Sequence, residues 1–506
     1  MLEAMDNHII VFIIILKKMG CMNRNRQGLV RGSMIIGASL FAAGVLSLLA
    51  SIVLARSVSV NEFGFYSMTL SLQTVLGMFS SFSIGTAVAK FVAEYNVRDV
   101  RHALKFAKAG LRLVLLFSII TTFIYFALAK PIGNGLYNEP GIVDLIPFSA
   151  LAMFSGALLS LMVGIAQGNH RMRLLSSMQV SAPAISLIII IVLLPYIGIR
   201  VAFVSLFLAQ ATVVLSAMYQ LERTGFPMLG RVEADDTIHH RRMLLSFAIP
   251  AMAGSVVVTL LFWIGSTVLV TTSGFLAVGY FAVAMVFFQA LSFLPSSVIF
   301  PLVPIVAAMS VHSRKQIGSL ISRSLRIVSI LLFPIFFAIA LFSRDLIVFL
   351  YGPGYYESSV AAYLMVTACY YYGIAMIVCA PISGLGRMWV GLGLNLLWGT
   401  VFLILMMIAT PSFGPSGLAM AFAMSYVIHV ANSIAVSNRV LNLEIRGALL
   451  IIFTSVVLFT AGYISITDVV ELSLVAKISL LAFGMALMAY LGRIEFMTAL
   501  NRLLKR

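Results

Sequence analysis

The sequence predicts an all-α polytopic membrane protein of about 14 transmembrane helices, arranged as two parallel six-helix bundles plus two C-terminal helices. Three observations carry that reading. Residues of the AVILMFWYC set make up 61 % of the 506 positions and charged residues only 10 %, with a mean hydropathy of +1.07. Soluble domains are about half apolar and about a quarter charged, so the solvent for most of this chain is lipid. The apolar residues also fall in runs of about 20, the length a helix needs to cross the hydrocarbon core. Finally, short strings recur at a near-constant offset in the two halves, as in transporters built from repeats.

Taken in order, the chain divides into a cytoplasmic extension (1–32), a first bundle (33–220), a linker (221–246), a second bundle (247–435), two extra helices (448–490) and a tail (491–506). The first bundle's spans are read at 33–55, 64–89, 111–129, 145–166, 176–196 and 199–220. The second's are read at 247–270, 275–309, 327–342, 359–380, 389–409 and 414–435. The span 275–309 is too long for one straight crossing, and Pro295, Pro301 and Pro304 predict a kink there. The run His8–Leu16 is too short to span, and Lys17 and Lys18 follow it, the wrong order for a signal peptide.

A net charge of +16 would suggest nucleic acid in a soluble protein. With both termini cytoplasmic, however, 28 of the 33 Lys and Arg fall on inside segments. The outside connections keep only Arg56, Lys130, Arg200 and Arg344, and Lys477 sits in the last span. The 17 acids show no comparable bias, as a rule about cations requires. The charge is topological: it places a multi-pass protein in the cell membrane and implies no nucleic-acid partner.

The repeated strings lie about 215 residues apart. Gly64-Phe65-Tyr66 matches Gly279-Tyr280-Phe281, and Leu136-Tyr137 matches Leu350-Tyr351. Gly168, Arg171 and Met172 match Gly384, Arg387 and Met388, and Gly198 matches Gly414. Six spans per repeat keep both halves in one orientation, which puts a pathway between the bundles.

The chemistry available favours transport over catalysis. No Walker loop, HExxH, GxSxG or CxxC pattern is present, and Cys21, Cys369 and Cys379 have no metal-ligand spacing, so no cofactor or metal is expected. A polymerase or ligase would need a substantial outside loop, and the loops are short. Asp and Glu are missing from the depth of the spans, which weakens a carboxylate-coupled exporter. His429 alone titrates near neutral pH at depth, making it the candidate for ion coupling. Gln73, Ser81, Gln179, Gln210, Gln289 and Asn395 are polar at depth, suited to interhelical bonds or to a wetted cavity holding sugar hydroxyls. In the run Tyr370-Tyr371-Tyr372, one side chain has to turn from lipid, and Tyr371 is the binding candidate. Tyr351, Tyr355 and Tyr356 read as an interfacial belt. Arg56, Lys90, Arg171 and Arg387 at span ends either anchor topology or meet phosphate, which Arg grips bidentately.

The string Ala55-Arg56 with Glu62-Phe63-Gly64-Phe65-Tyr66 resembles the first-hairpin signature of Wzx-type polysaccharide flippases in the multidrug/oligosaccharidyl-lipid/polysaccharide exporter superfamily. Gly168–Met172, Gly384–Met388 and Leu350-Tyr351-Gly352-Pro353-Gly354-Tyr355 extend the likeness. It implies translocation of a polyprenyl-diphosphate-linked oligosaccharide to the outer leaflet by alternating access, for surface polysaccharide synthesis. Membrane lipid and polysaccharide-assembly enzymes are the implied partners, and a cation-coupled multidrug exporter is the alternative within the superfamily. Such flippases line the cavity with cations, whereas here the cations cluster at span ends.

Overall fold

A computed structural model describes residues 24–96, 99–227, 237–296, 314–385, 387–441, 446–466 and 473–504, with Ile299, Leu302 and Val306 between. The expected extension 1–32 falls largely outside the described residues, as do the middle of the linker, Pro301 and Pro304. Among the described residues the chain is all-helical. The first part comprises α1 (Arg24–Ser57), α2 (Val60–Ser81), α3 (Ile84–Asn96), α4 (Val100–Ala127), α5 (Pro140–Gly168), α6 (Met172–Ile197) and α7 (Val201–Arg223). There follow α8 (Thr237–Leu291), α9 (Arg314–Leu341), α10 (Ser343–Tyr351), α11 (Ser358–Gly384), α12 (Met388–Leu441), α13 (Arg446–Ile466) and α14 (Leu474–Leu504).

Hydrocarbon offers no partner to a free N–H or C=O, so a crossing segment closes its backbone bonds within a helix. Among the described residues, nine helical stretches are long and apolar enough to cross a bilayer. Three of them, Met172–Arg223, Val256–Ser296 and Trp389–Leu441, run 52, 41 and 53 residues, well beyond the roughly 20 one crossing needs. Each folds back at a glycine. Phe262 and Phe288 would stand about 39 Å apart on a straight helix, yet both rings pack on Phe422, at 5.0 and 5.2 Å. The turn between them is at Gly274 (φ 78°). Trp398 and Tyr426 meet at 5.2 Å across Gly414 (φ 54°, ψ −131°). Ser186 donates to Ser205 at 3.0 Å across Gly198 (φ 57°, ψ −145°). Gly198 and Gly414, matched in the sequence, thus share one left-handed backbone conformation that a Cβ would strain.

The remaining break lies between α2 and α3, which bend by 40° at Phe82 and Ser83, both with positive φ. The last two helices pack on α9 and α10: Phe459 of α13 meets Phe333 and Phe337 of α9 edge to face at 5.6 and 5.4 Å. Lys477 of α14 pairs with Asp345 of α10 at 3.1 Å, which gives that in-span cation a partner.

The two halves meet most closely where α2 crosses α8. A Cβ on Gly64 would lie 2.0 Å from the Phe275 carbonyl oxygen, and one on Gly279 2.2 Å from the Val60 carbonyl oxygen. Only glycine lets the two backbones approach so closely. Gly64→Val is expected to destabilise the protein by about 1–3 kcal/mol, the usual cost of overpacking. Gly77→Ala, whose new Cβ meets only Met153 Cγ at 3.7 Å, should change stability by less than about 0.5 kcal/mol. Thermal unfolding of the detergent-solubilised protein checks both.

Candidate functional site

A cavity of about 560 Å³ opens between α1, α2, α6, α7 and the second arm of α8, within the size range of small-molecule sites. Each helix gives it one face. Gly44, Ser47 and Ser51 line it from α1, a helical spacing of three and four residues that stacks them in a row. Gln179, Pro183 and Ser186 line it from α6, Gln210 from α7, Gln289 from α8, and Phe293 from just past the end of α8. The Gln179 oxygen accepts from the Ser39 hydroxyl at 2.9 Å, and the Gln210 oxygen from Ser155 at 2.7 Å. Both carboxamides are thereby oriented with their NH₂ groups still able to donate. The described lining holds no Asp, Glu, Lys, Arg or His.

At one end the halves are tied across the seam. Arg56 Nε donates to the Leu350 carbonyl at 2.7 Å and Nη2 to that of Phe349. These are last-turn carbonyls of α10, which lack helical donors and carry the negative end of its dipole. Tyr355 donates to the Ala55 carbonyl at 3.1 Å, and the Ser51 and Tyr351 hydroxyls lie 3.3 Å apart. Tyr137, matched to Tyr351 in the sequence, reaches the other way to the Thr267 hydroxyl at 3.1 Å. Tyr351 and Tyr355 are only 2 % and 3 % exposed. The belt expected from them is therefore corrected for this pair, since their hydroxyls find partners across the seam rather than at headgroups.

At the opposite end, Lys90 lies over the Phe247 ring of α8, 4.3 Å from its centroid. His240 packs on Phe106 at 4.5 Å and faces His102 at 6.0 Å. His102 pairs with Asp99 at 2.7 Å. The His102 ring and the Arg101 amide hold the Asp99 carboxyl below the usual carboxylate range. Arg171 donates to the Thr224 hydroxyl and carbonyl (3.2 Å), fastening the start of α6 to the end of α7. Partial burial lowers its guanidinium from the ordinary value but leaves it charged at neutral pH.

Of the residues singled out from the sequence, Gln179, Gln210 and Gln289 line the cavity. Arg56, Arg171 and Arg387 stand at helix ends, whereas Lys90, expected at a span end, lies midway along α3 because the bend at Phe82 and Ser83 starts a separate helix there; Arg56, Lys90 and Arg387 are exposed. Gln73 of α2 has a buried Oε1 that finds no partner among the described residues, away from the lining. Asn395 is half-buried on α12. Tyr371 is in the core of the second bundle, 1 % exposed, its hydroxyl 3.2 Å from that of Ser455. His429 is buried between Trp398 and Tyr426, at 6.5 and 6.0 Å. The reading overlooked Ser47, Ser51, Ser67 and Ser186, which also line the cavity. The i, i+3, i+7 recurrence of small residues at Gly44, Ser47 and Ser51 was the available signal.

Comparison with known proteins adds family and fold. Residues 29–310 match the family described as Polysaccharide biosynthesis protein. No curated protein matches the sequence. Among solved structures, the chain is similar to the lipid II flippase MurJ in an inward closed conformation, at 15 % identity and a TM-score of 0.70, covering 92 % of this chain and 100 % of that one. It is similar to an inward-facing multidrug resistance MATE family transporter of the MOP superfamily, at 12 % identity and a TM-score of 0.63, covering 82 % and 98 %. A MOP superfamily transporter from Pyrococcus furiosus aligns at 12 % identity and a TM-score of 0.61, covering 82 % and 96 %. At these identities the structures establish the fold they share.

Arg56→Ala should loosen the tied end. With the native cysteines replaced and a single cysteine placed at Ser67, a water-soluble maleimide is expected to label the variant several-fold faster than the Arg56 protein. Equal rates would show that the Arg56 contacts do not hold the seam.

Proposed function

The chain belongs to the polysaccharide biosynthesis protein family, and from that premise we propose that it is a flippase moving a polyprenyl-diphosphate-linked oligosaccharide from the cytoplasmic to the outer leaflet by alternating access. The observation that carries this is the uncharged cavity between the first and second parts of the chain, mostly apolar with glutamine and serine groups set in it, closed at one end by contacts between those parts. Likeness to a fold that serves lipid II flippase in another protein supports it.

Split at its three glycine turns, with the bent α2–α3 pair taken as one crossing and the shorter apolar helix Leu449–Ile464 added, the set of nine stretches becomes fourteen crossings. Both ends then lie in the cytoplasm, and Arg56 belongs to the outer gate. In this reading Gln289 meets the glycan, and Lys90, Arg171 and Arg387 attract the diphosphate at the cytoplasmic mouth. Gln73, Tyr371, Asn395 and His429 serve helix packing. A cation-coupled multidrug exporter shares the fold, but the described lining offers no carboxylate for a coupling ion or a cationic drug.

Depletion of the protein is expected to accumulate lipid-linked sugar on the inner leaflet, with rescue by the intact chain. Unchanged polysaccharide export together with new drug sensitivity would favour the exporter. In the same assay Arg56→Ala should lower export several-fold while membrane insertion persists. Normal export by that variant would reduce Arg56 to a topological anchor.

A further inference from the structure

We infer that Phe293 is the inner plug of the cavity. Its ring, seated in a notch at Gly44 of α1, closes the end away from Arg56 and has to leave for cargo to enter from the cytoplasm. The direction of entry rests on the flippase reading, and the plug supplies the moving part on the side opposite the outer gate.

The plug is built where α8 ends. Regular helical bonding breaks at Ser292, whose N–H is shared between the Phe288 and Gln289 carbonyls at 3.0 and 3.3 Å. The Ser292 hydroxyl donates to the same Gln289 carbonyl at 2.7 Å, which satisfies that acceptor at the break. Residues 293–296 are helical again, and two glycine notches hold them, one in each part of the chain. A Cβ on Gly44 of α1 would overlap Cε2, Cζ and Cδ2 of the Phe293 ring. A Cβ on Gly373 of α11 would lie 2.7 Å from Pro295 Cβ. Small residues admit such close approach.

The two notches hold their occupants differently. A proline ring is fixed to its backbone, so Pro295 stays with α11 unless the chain itself moves. A phenylalanine ring turns about two side-chain torsions, so Phe293 can leave Gly44 by a change of rotamer. Its place in the cavity gives that movement a consequence. Gly44 lies about 18 Å from Arg56 along α1, and only Leu40 and Ala43 of α1 lie beyond it in the described lining. Phe293 is likewise the last residue on the α8 side of that lining, following Ala290. This end is therefore apolar, and an apolar constriction keeps water out without any hydrogen bond to break. The opposite end is held by Arg56 on helix carbonyls. Two ends closed by unlike contacts can open separately, as alternating access requires.

The test uses the full chain in membrane vesicles, with the native cysteines replaced and one reporter introduced by Ser47→Cys, a helical turn from Gly44 on the lining. A membrane-impermeant maleimide is applied to inside-out vesicles and, separately, to right-side-out ones. Phe293→Ala is expected to label at least about fivefold faster than the Phe293 protein from the cytoplasmic side, with no change from outside. Gly44→Ala sets its new methyl against the free end of the ring rather than against backbone. It should speed cytoplasmic labelling while Phe293 is still present. Phe293→Leu, which keeps an apolar plug, should label more slowly than Phe293→Ala. Thermal unfolding of each variant separates an opened plug from a lost fold. Unchanged cytoplasmic labelling in folded Phe293→Ala and Gly44→Ala, or acceleration from outside, would overturn the plug. Faster cytoplasmic labelling of the variants, with no crossing of a fluorescent polyprenyl-diphosphate trisaccharide by the folded parent chain in liposomes, would overturn the flippase reading and leave the plug standing.

Discussion

Everything in this molecule follows from the demand that backbone N–H and C=O groups in hydrocarbon be satisfied within the chain. Helices meet that demand along their length but not where the chain reverses. Gly198, Gly274 and Gly414 each take positive φ, turning long apolar stretches into hairpins with few residues spent outside a helix. The same demand disciplines side chains. Many polar groups at depth pair with one another, as Ser149 does with Tyr125 at 3.0 Å, and others face the cavity, as Gln289 does, although the buried Oε1 of Gln73 does neither among the described residues.

Reversals set the first and second parts of the chain side by side, and the seam between them uses residues whose strings match in the sequence. Gly64 and Gly279 each admit the other half's backbone. Tyr137 and Tyr351 each send a hydroxyl across, to Thr267 and Ser51. A seam of close backbone contact with a few hydroxyl bonds suits a surface that has to open. Interhelical hydrogen bonds in membranes contribute only about 0.6 kcal/mol each, so such a surface holds one state without locking it.

Much of this was legible before any coordinates, and the reasons are physical. Composition named the solvent, and the solvent allows little but helices. The strings Gly64-Phe65-Tyr66 and Leu350-Tyr351 were visible because duplication leaves a constant offset, although their place at the seam was not. Depth was readable too: Gln179, Gln210 and Gln289 stood out as polar residues within spans. Rotation was not, because in an apolar helix every face looks alike in the sequence. Tyr371 could therefore be read toward a cavity while its hydroxyl meets Ser455 in the core. Arg56 was conspicuous as an outside cation, but its acceptors lie 294 and 293 residues further on, beyond any local pattern.

The distribution of charge bears on which functions this fold can host. A cation-coupled exporter needs a carboxylate at depth, where it is expensive and kept for use, and the described lining has none. A lipid-linked glycan makes a different demand. Its sugars carry hydroxyls that amides and serines can match, while its diphosphate needs cations wherever it meets low dielectric. Glutamine and serine groups of the cavity can supply the first. Arg56 stands outside that lining, its guanidinium given to the last-turn carbonyls of α10, so that one cation joins the first and second parts of the chain without lining the cavity.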